Sequence, residues 1–155
     1  MTPLFHLVFR VNMLFLALSG IGHMPIFKRY YIADIPGFGW LAEFHITLTI
    51  HYLTAALFLA MVAWLATTRI LTKSEDRLTR PARVKVGLYI AVIVSGGILV
   101  IKNLKGIYMP AATITATDLI HLFGAFTLGI TALVARIKGL GWLESREQAL
   151  PPAAR

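Results

Sequence analysis

Apolar residues are concentrated in four long runs, separated by stretches rich in charged, aromatic and proline residues. The runs cover about residues 6–24, 46–67, 84–101 and 114–137. A helix needs about 20 mostly apolar residues to cross a bilayer, and Lys85 and Lys102 can extend the short third run by reaching the membrane surface. None of the runs shows the alternation of barrel strands. The pattern predicts an all-α fold, an integral membrane four-helix bundle.

We expect residues 1–155 to form a single transmembrane domain that ends in a cytoplasmic tail, 138–155. The first run is interpreted as a retained helix rather than a signal peptide, because no small-residue cleavage site follows it. No internal repeat is evident in the sequence.

Composition agrees with a membrane location and excludes several kinds of chemistry. Hydrophobic residues make up 57% of the chain and charged residues 14%, whereas soluble domains are about 45–50% apolar and about a quarter charged. Cysteine is absent, which excludes disulfides, thiolate metal sites, iron–sulfur clusters and covalently attached haem on this chain. The net charge of +8 is interpreted as a topology signal rather than as a nucleic-acid site, because the basic residues flank the apolar runs.

The distribution of Lys and Arg predicts the orientation, because basic residues accumulate on the cytoplasmic side. The residues assigned to that side are Arg10, Arg69, Lys73, Arg77, Arg80, Arg83, Lys85, Arg136, Lys138, Arg146 and Arg155. The loops on the other side contain Lys28, Arg29, Lys102 and Lys105. We therefore expect both the N and the C terminus to be cytoplasmic.

Three of the five histidines fall at one predicted depth. His23, His51 and His121 lie five or six residues outward of their helix midpoints, which is roughly 7–9 Å at 1.5 Å per residue. His6 is expected near the inner surface and His45 near the outer one. An ionisable side chain at such depth is a functional candidate, although it can also serve as a hydrogen-bonding group between helices.

Two imidazoles on facing helices are the usual axial ligands of a bundle-bound haem. Small residues beside these histidines leave space for a flat ring, among them Ser19, Gly20, Thr47, Thr54, Ser95, Gly96, Gly97, Thr117 and Gly124; they are also typical of plain helix packing. The basic and aromatic segment Lys28, Arg29, Tyr30 and Tyr31 could neutralise haem propionates or simply anchor the interface.

The segments LSGIGHMP, RYYIADIPGFGW, HITLTIHYLTA and DLIHLFGAF, on a four-helix topology, resemble the membrane cytochrome b (gamma) subunit of formate dehydrogenases and its relatives in hydrogenases and thiosulfate reductases. The similarity covers about residues 8–137. Members of that family commonly hold two b haems, and their outer haem, between helices two and four, maps onto His51 and His121. For the inner haem His6 could stand for one ligand, but the end of helix four, TALVARIKG, has no histidine. The resemblance thus implies one haem b, on the periplasmic side.

The resemblance further implies an electron-transfer subunit in the bacterial inner membrane. It would anchor a larger respiratory complex and pass electrons between a periplasmic iron–sulfur or multihaem cytochrome subunit and the quinone pool, menaquinone or ubiquinone. We expect no primary catalytic site on so small a chain. Two alternatives stay open: a haem-free anchor or assembly subunit of such a complex, and a small transporter or channel with the histidine level as its proton or metal path.

Two further residues have open roles in this interpretation. His23 could replace His51 or His121 as a ligand, bind a quinone carbonyl or relay a proton. Asp118, one turn before His121, could orient an imidazole or lie solvated at the outer rim.

Overall fold

The computed structural model describes residues 2–24, 31, 34–72 and 77–143. Its long helices are α1 (Pro3–Gly22), α2 (Phe44–Leu71), α3 (Arg80–Ile101) and α4 (Ala111–Ile137), and a short 3₁₀ turn, Gly39–Ala42, precedes α2. The described residues contain no strand and only one isolated bridge, between Leu78 and Leu143. The prediction of an all-α chain is confirmed.

Helices α1 and α3 begin earlier than the apolar runs, and each starts at a threonine cap. Thr2 and Thr79 accept hydrogen bonds from the backbone N–H groups of Phe5 and Ala82, and each helix has a proline in its first turn. A threonine cap followed by proline is a typical N-terminal signal, since the proline lacks an N–H that would otherwise be unpaired. Helices α1 and α3 therefore start at residues 3 and 80 rather than at 6 and 84.

The N-terminal hairpin consists of α1, the 3₁₀ turn and α2, within the compact unit Met1–Ser74. Its helices are antiparallel: Ser19 contacts His51, and seven residues earlier the side-chain amide of Asn12 donates to the Thr54 carbonyl (3.0 Å). At the loop end Leu41 is almost fully buried. A Cβ on Gly22 would lie 3.0 Å from Thr47 Cγ2 and 3.2 Å from Leu41 Cδ2, so glycine is needed for this close packing.

The C-terminal hairpin consists of α3 and α4, within the compact unit Glu75–Arg155. Val92 packs on Gly124, where a Cβ would come within 3.0 Å of the valine. After α4 the chain reverses at Gly139, which has φ +62°, and the N–H of Leu140 donates to the Ala135 carbonyl (2.8 Å). This is the glycine-dependent reversal that satisfies the last carbonyls of a helix.

The reversed segment closes the hairpin on the start of α3. The Thr79 hydroxyl donates to the Gly141 carbonyl (2.9 Å), and the Thr79 N–H donates to the Trp142 carbonyl (3.1 Å). The ammonium of Lys85, a buried residue, lies 4.1 Å from the centre of the Trp142 ring, and Tyr89 stacks on the same indole. We name Thr79, Lys85, Tyr89 and Trp142 the end clamp.

The exposed surface of both hairpins is strongly apolar. Large side chains such as Leu14, Trp64 and Ile130 are 57%, 68% and 60% exposed. All four long helices of the described residues are long and apolar enough to cross a membrane. Because lipid, unlike water, is a favourable solvent for such surfaces, the chain is a multi-pass membrane protein, as predicted. The orientation of the termini and the arrangement as one bundle stay predictions.

Candidate functional site

The predicted site residues fall into two groups. His23, His51, His121 and Gly124 are described by the structure, whereas Arg29 and Tyr30, like Lys28, lie outside the described residues. His23 and His51 belong to the N-terminal hairpin and His121 and Gly124 to the C-terminal hairpin. Each hairpin therefore contains one of the two predicted iron ligands.

In the N-terminal hairpin, His51 of α2 contacts Ser19 of α1. Nδ1 of His51 lies 3.2 Å from Ser19 Oγ. The Ser19 hydroxyl also lies 2.7 Å from the Phe15 carbonyl and 3.2 Å from the Leu16 carbonyl. Carbonyl oxygens can only accept, so a hydroxyl hydrogen directed to the Phe15 carbonyl leaves Ser19 Oγ able to accept from the ring. In that arrangement Nδ1 of His51 is the nitrogen that donates.

Glycine follows the serine and makes room for the imidazole. A Cβ on Gly20 would lie 3.2 Å from Cε1 of His51, which is closer than ordinary van der Waals contact. A larger residue at this position would push the ring away from Ser19. The pair Ser19–Gly20 thus provides both the hydrogen bond and the space for the ring.

In the C-terminal hairpin, His121 of α4 contacts Ser95 of α3 in the same way. Nδ1 of His121 lies 3.1 Å from Ser95 Oγ and 3.1 Å from the Val92 carbonyl. The Ser95 hydroxyl lies 2.7 Å from the Ala91 carbonyl and therefore uses its hydrogen there. With two acceptors beside it, Nδ1 of His121 also carries the ring proton.

Gly96, which follows Ser95, leaves space for the ring of His121, as Gly20 does for His51. A Cβ on Gly96 would lie 3.0 Å from Cε1 of His121, while a Cβ on the next residue, Gly97, would meet no atom within 4 Å. Gly96 is thus specifically required by the ring. At Gly124 the space for a Cβ is instead occupied by Val92, which packs there across the contact between α3 and α4. That Gly124 lies beside a cofactor stays a prediction.

The two histidine sites correspond residue by residue. In each hairpin a buried threonine, Thr47 or Thr117, lies four residues before the histidine and bonds its hydroxyl to a backbone carbonyl of its own helix. Ser19 lies 17 residues after its helix cap Thr2, and Ser95 lies 16 after Thr79. In the sequence this correspondence consists of two short motifs, Ser-Gly in the first helix of each hairpin and Thr-x-x-x-His in the second. The motifs became recognisable only from the contacts between the helices.

His23 lies beside the N-terminal site. Its ring centre is 5.7 Å from that of His51 and 5.4 Å from that of Phe44. Its Nε2 atom is buried and has no hydrogen-bond partner among the described residues. His23 and His51 are therefore neighbours within this hairpin, while their predicted depth in the membrane stays a prediction. Whether His121 shares that depth, and whether His23 binds a ligand, remain predictions.

Asp118 is an exposed residue near the start of α4. It lies 3.5 Å from Lys102 Nζ, and its side chain is 52% exposed. Because Ser95 and the Val92 carbonyl are the Nδ1 partners of His121, the groups that orient this imidazole are a serine hydroxyl and a backbone carbonyl. The sequence had offered Asp118 for that role.

His6 and His45 are exposed residues near the starts of α1 and α2. Among the described residues no three His, Asp or Glu side chains are grouped as a metal ion would require. A haem needs only two imidazoles from the protein, and therefore no group of three such side chains.

Comparisons of the chain with protein-family models, with curated proteins and with solved structures found no match. The resemblance to cytochrome b subunits therefore rests on the segments and histidine positions given above.

Proposed function

We propose that the chain is the b-type cytochrome, membrane-anchor subunit of a larger respiratory oxidoreductase, with His51 and His121 as the axial ligands of one haem b. The observation that supports the proposal is the matched setting of these two histidines, whose Nδ1 atoms lie 3.2 Å and 3.1 Å from a serine hydroxyl of the facing helix. In a neutral imidazole with Nδ1–H, the lone pair is on Nε2, the nitrogen that binds a metal. Metal-binding histidines almost always donate their other N–H in this way.

The side chains present fit the chemistry of a haem. Each imidazole lies beside a serine hydroxyl, and the glycine next to that serine leaves space for the ring. Haem b, when bound, supplies a one-electron ferric–ferrous couple. The chain's own part is to hold two imidazoles in a fixed orientation away from water, with Arg29 and Tyr30 assigned to the propionates and His23 to the quinone.

The position of the chain in the cell follows from the same proposal. The basic residues place both termini in the cytoplasm, which puts the histidine sites toward the periplasmic side of the bacterial inner membrane. The electron partner there is an iron–sulfur or multihaem cytochrome subunit, and the second carrier is membrane quinone, menaquinone or ubiquinone. The bilayer itself is the remaining partner, and no nucleic-acid site is proposed.

One observation favours a second candidate, a haem-free anchor subunit. The Ser–His contacts also join the two helices of each hairpin, and polar pairs of this kind stabilise packing in membranes. In that function the histidines would be replaceable by other hydrogen-bonding residues without loss of a cofactor.

The deciding experiment is a visible spectrum of the full chain purified from bacterial membranes, with the haem-to-chain ratio measured on the same sample. We expect a Soret band, a sharp reduced α-band at the b-type position and one haem per chain. A folded preparation without these bands would contradict the proposal and leave the haem-free anchor.

A further inference from the structure

We infer that Ser19 and Ser95 are positioning residues, whose hydroxyl groups set the tautomer and the orientation of His51 and His121. The consequence for a haem rests on the proposed function, but the tautomer itself is a property of the chain and is measurable without haem. No residue of this kind was foreseen from the sequence, which offered the serines only as small residues beside the rings.

The inference follows from counting hydrogens. A serine hydroxyl has one hydrogen, and both serines direct it to a carbonyl of their own helix at 2.7 Å, Phe15 for Ser19 and Ala91 for Ser95. Each oxygen is then an acceptor toward the neighbouring imidazole, at 3.2 Å and 3.1 Å. Both rings are thereby held with Nδ1 protonated and with Nε2 as the basic nitrogen.

The choice of serine suits the membrane interior. A carboxylate could orient an imidazole equally well, but it would bring a charge to a depth where charges are costly. Asp118, one turn away from His121, is instead exposed beside Lys102. A back-bonded serine provides an acceptor without a charge, and both serines are almost fully buried.

The residue after each serine is a glycine, which leaves the space that the ring occupies. A Cβ on Gly20 would lie 3.2 Å from Cε1 of His51, and a Cβ on Gly96 would lie 3.0 Å from Cε1 of His121. A side chain at either position would press on the ring and disturb its contact with the serine.

For a bound iron this arrangement has a measurable effect. A hydrogen bond from Nδ1–H makes the imidazole a stronger donor at Nε2, which favours ferric iron. Removing the acceptor should therefore raise the reduction potential and weaken haem binding, by roughly 10–100-fold in the range observed when groups behind a metal ligand are removed.

The test compares Ser19→Ala and Ser95→Ala with two control variants in the full chain. Thr68→Ala and Thr131→Ala also remove a hydroxyl that bonds to a backbone carbonyl, one in each hairpin. The measurements are the nitrogen NMR spectrum of ¹⁵N-histidine in haem-free protein in lipid nanodiscs, and the haem affinity and midpoint potential of loaded protein.

We expect wild-type His51 and His121 to be Nδ1–H tautomers, and His51 to lose this preference in Ser19→Ala. Ser95→Ala should keep the tautomer, because the Val92 carbonyl still accepts from His121. Both alanine variants should show weaker haem binding and a more positive potential, and the threonine controls should match wild type. Tautomers, affinity and potential all unchanged in the serine variants would overturn the inference.

Failure of the proposed function would look different. If the wild-type chain binds no haem, the cytochrome proposal is lost, and the NMR spectrum alone then decides about the serines. An Nε2–H tautomer at both histidines in the wild-type chain would contradict the inference whether or not haem is present.

Discussion

The N-terminal and C-terminal hairpins hold their histidines by the same contacts but differ in almost everything around them. Both combine a back-bonded serine, a glycine against the ring and a threonine four residues before the histidine. The N-terminal hairpin adds a second histidine, His23, and a buried amide, Asn12. The C-terminal hairpin has the end clamp instead.

The comparison separates what is needed to close a pair of helices from what is needed to hold an imidazole in one orientation. The end contacts differ because many side chains can close a pair of helices, provided that the polar groups are satisfied and the volume is filled. The Ser-Gly and histidine contacts are the same because holding one imidazole in one tautomer needs an acceptor at one place and free space at another. The feature the two hairpins share is therefore the one to which we assign the function.

The largest expected effect is the loss of either central histidine. His51→Ala and His121→Ala should each abolish haem binding, because a single imidazole leaves the iron without its second axial ligand. The reduced spectrum of purified protein measures this. His6→Ala and His45→Ala, at exposed positions near helix starts, are the controls and should keep the full α-band. Haem retained in both central variants would disprove the ligand assignment.

The next largest expected effect is a difference in haem affinity between alanine variants of two adjacent glycines in α3, Gly96 and Gly97. Gly96→Ala places a Cβ 3.0 Å from His121 Cε1, whereas Gly97→Ala meets nothing within 4 Å. We expect Gly96→Ala to move the ring off Ser95 and to lower haem affinity by about tenfold or more. Haem titration of the two variants provides the measurement. Equal affinities would mean that the space at Gly96 is not needed by the ring.

A smaller effect should distinguish the two helix caps. Thr79 caps α3 and its hydroxyl also donates to the Gly141 carbonyl, whereas the hydroxyl of Thr2 accepts the cap bond from the Phe5 N–H at 3.4 Å. Thr79→Ala should lower the free energy of unfolding by about 1–2 kcal/mol, and Thr2→Ala by about 0.5 kcal/mol. Thermal unfolding in detergent compares them, and a larger loss for Thr2→Ala would contradict the importance of the end clamp.

The smallest effect concerns the buried amide. Asn12 lies seven residues before Ser19, and Leu88 lies at the same distance before Ser95. Asn12 donates to the Thr54 carbonyl, while its Oδ1 has no partner among the described residues. Asn12→Leu should change the free energy of unfolding by about 0.6 kcal/mol or less, the usual size of a hydrogen bond between membrane helices. A loss of several kcal/mol in denaturant unfolding would assign Asn12 a further partner.

Much of the architecture was predictable because the bilayer imposes a simple requirement. An apolar run of about 20 residues in lipid must be helical to pair its own backbone groups, and the four predicted spans match the four long helices. The boundaries differ by up to four residues: α1 and α3 start earlier, at threonine caps, and α2 continues to Leu71, beyond the predicted end at residue 67. The site histidines were predictable as candidates because ionisable residues are rare at such depth.

The positioning of those histidines was not predictable. For Asp118 the sequence left two roles open, orienting the imidazole of His121 or lying solvated at the rim, and the structure shows it exposed and 3.5 Å from Lys102 Nζ. Ser19 and Ser95 are separated from their histidines by 32 and 26 residues, and such a distance gives no sequence pattern. The correspondence of the two hairpins was missed for the same reason, since it consists of contacts across helices.

By itself the sequence determined that the chain is helical, that it crosses the membrane and that a few histidines lie where charge is costly, because these depend only on composition along the chain. The tertiary structure alone decided which serine lies beside each imidazole and which glycine leaves space for the ring. Those depend on how the helices of each hairpin are aligned, since a shift of one residue would turn Ser19 and Ser95 away from the imidazoles.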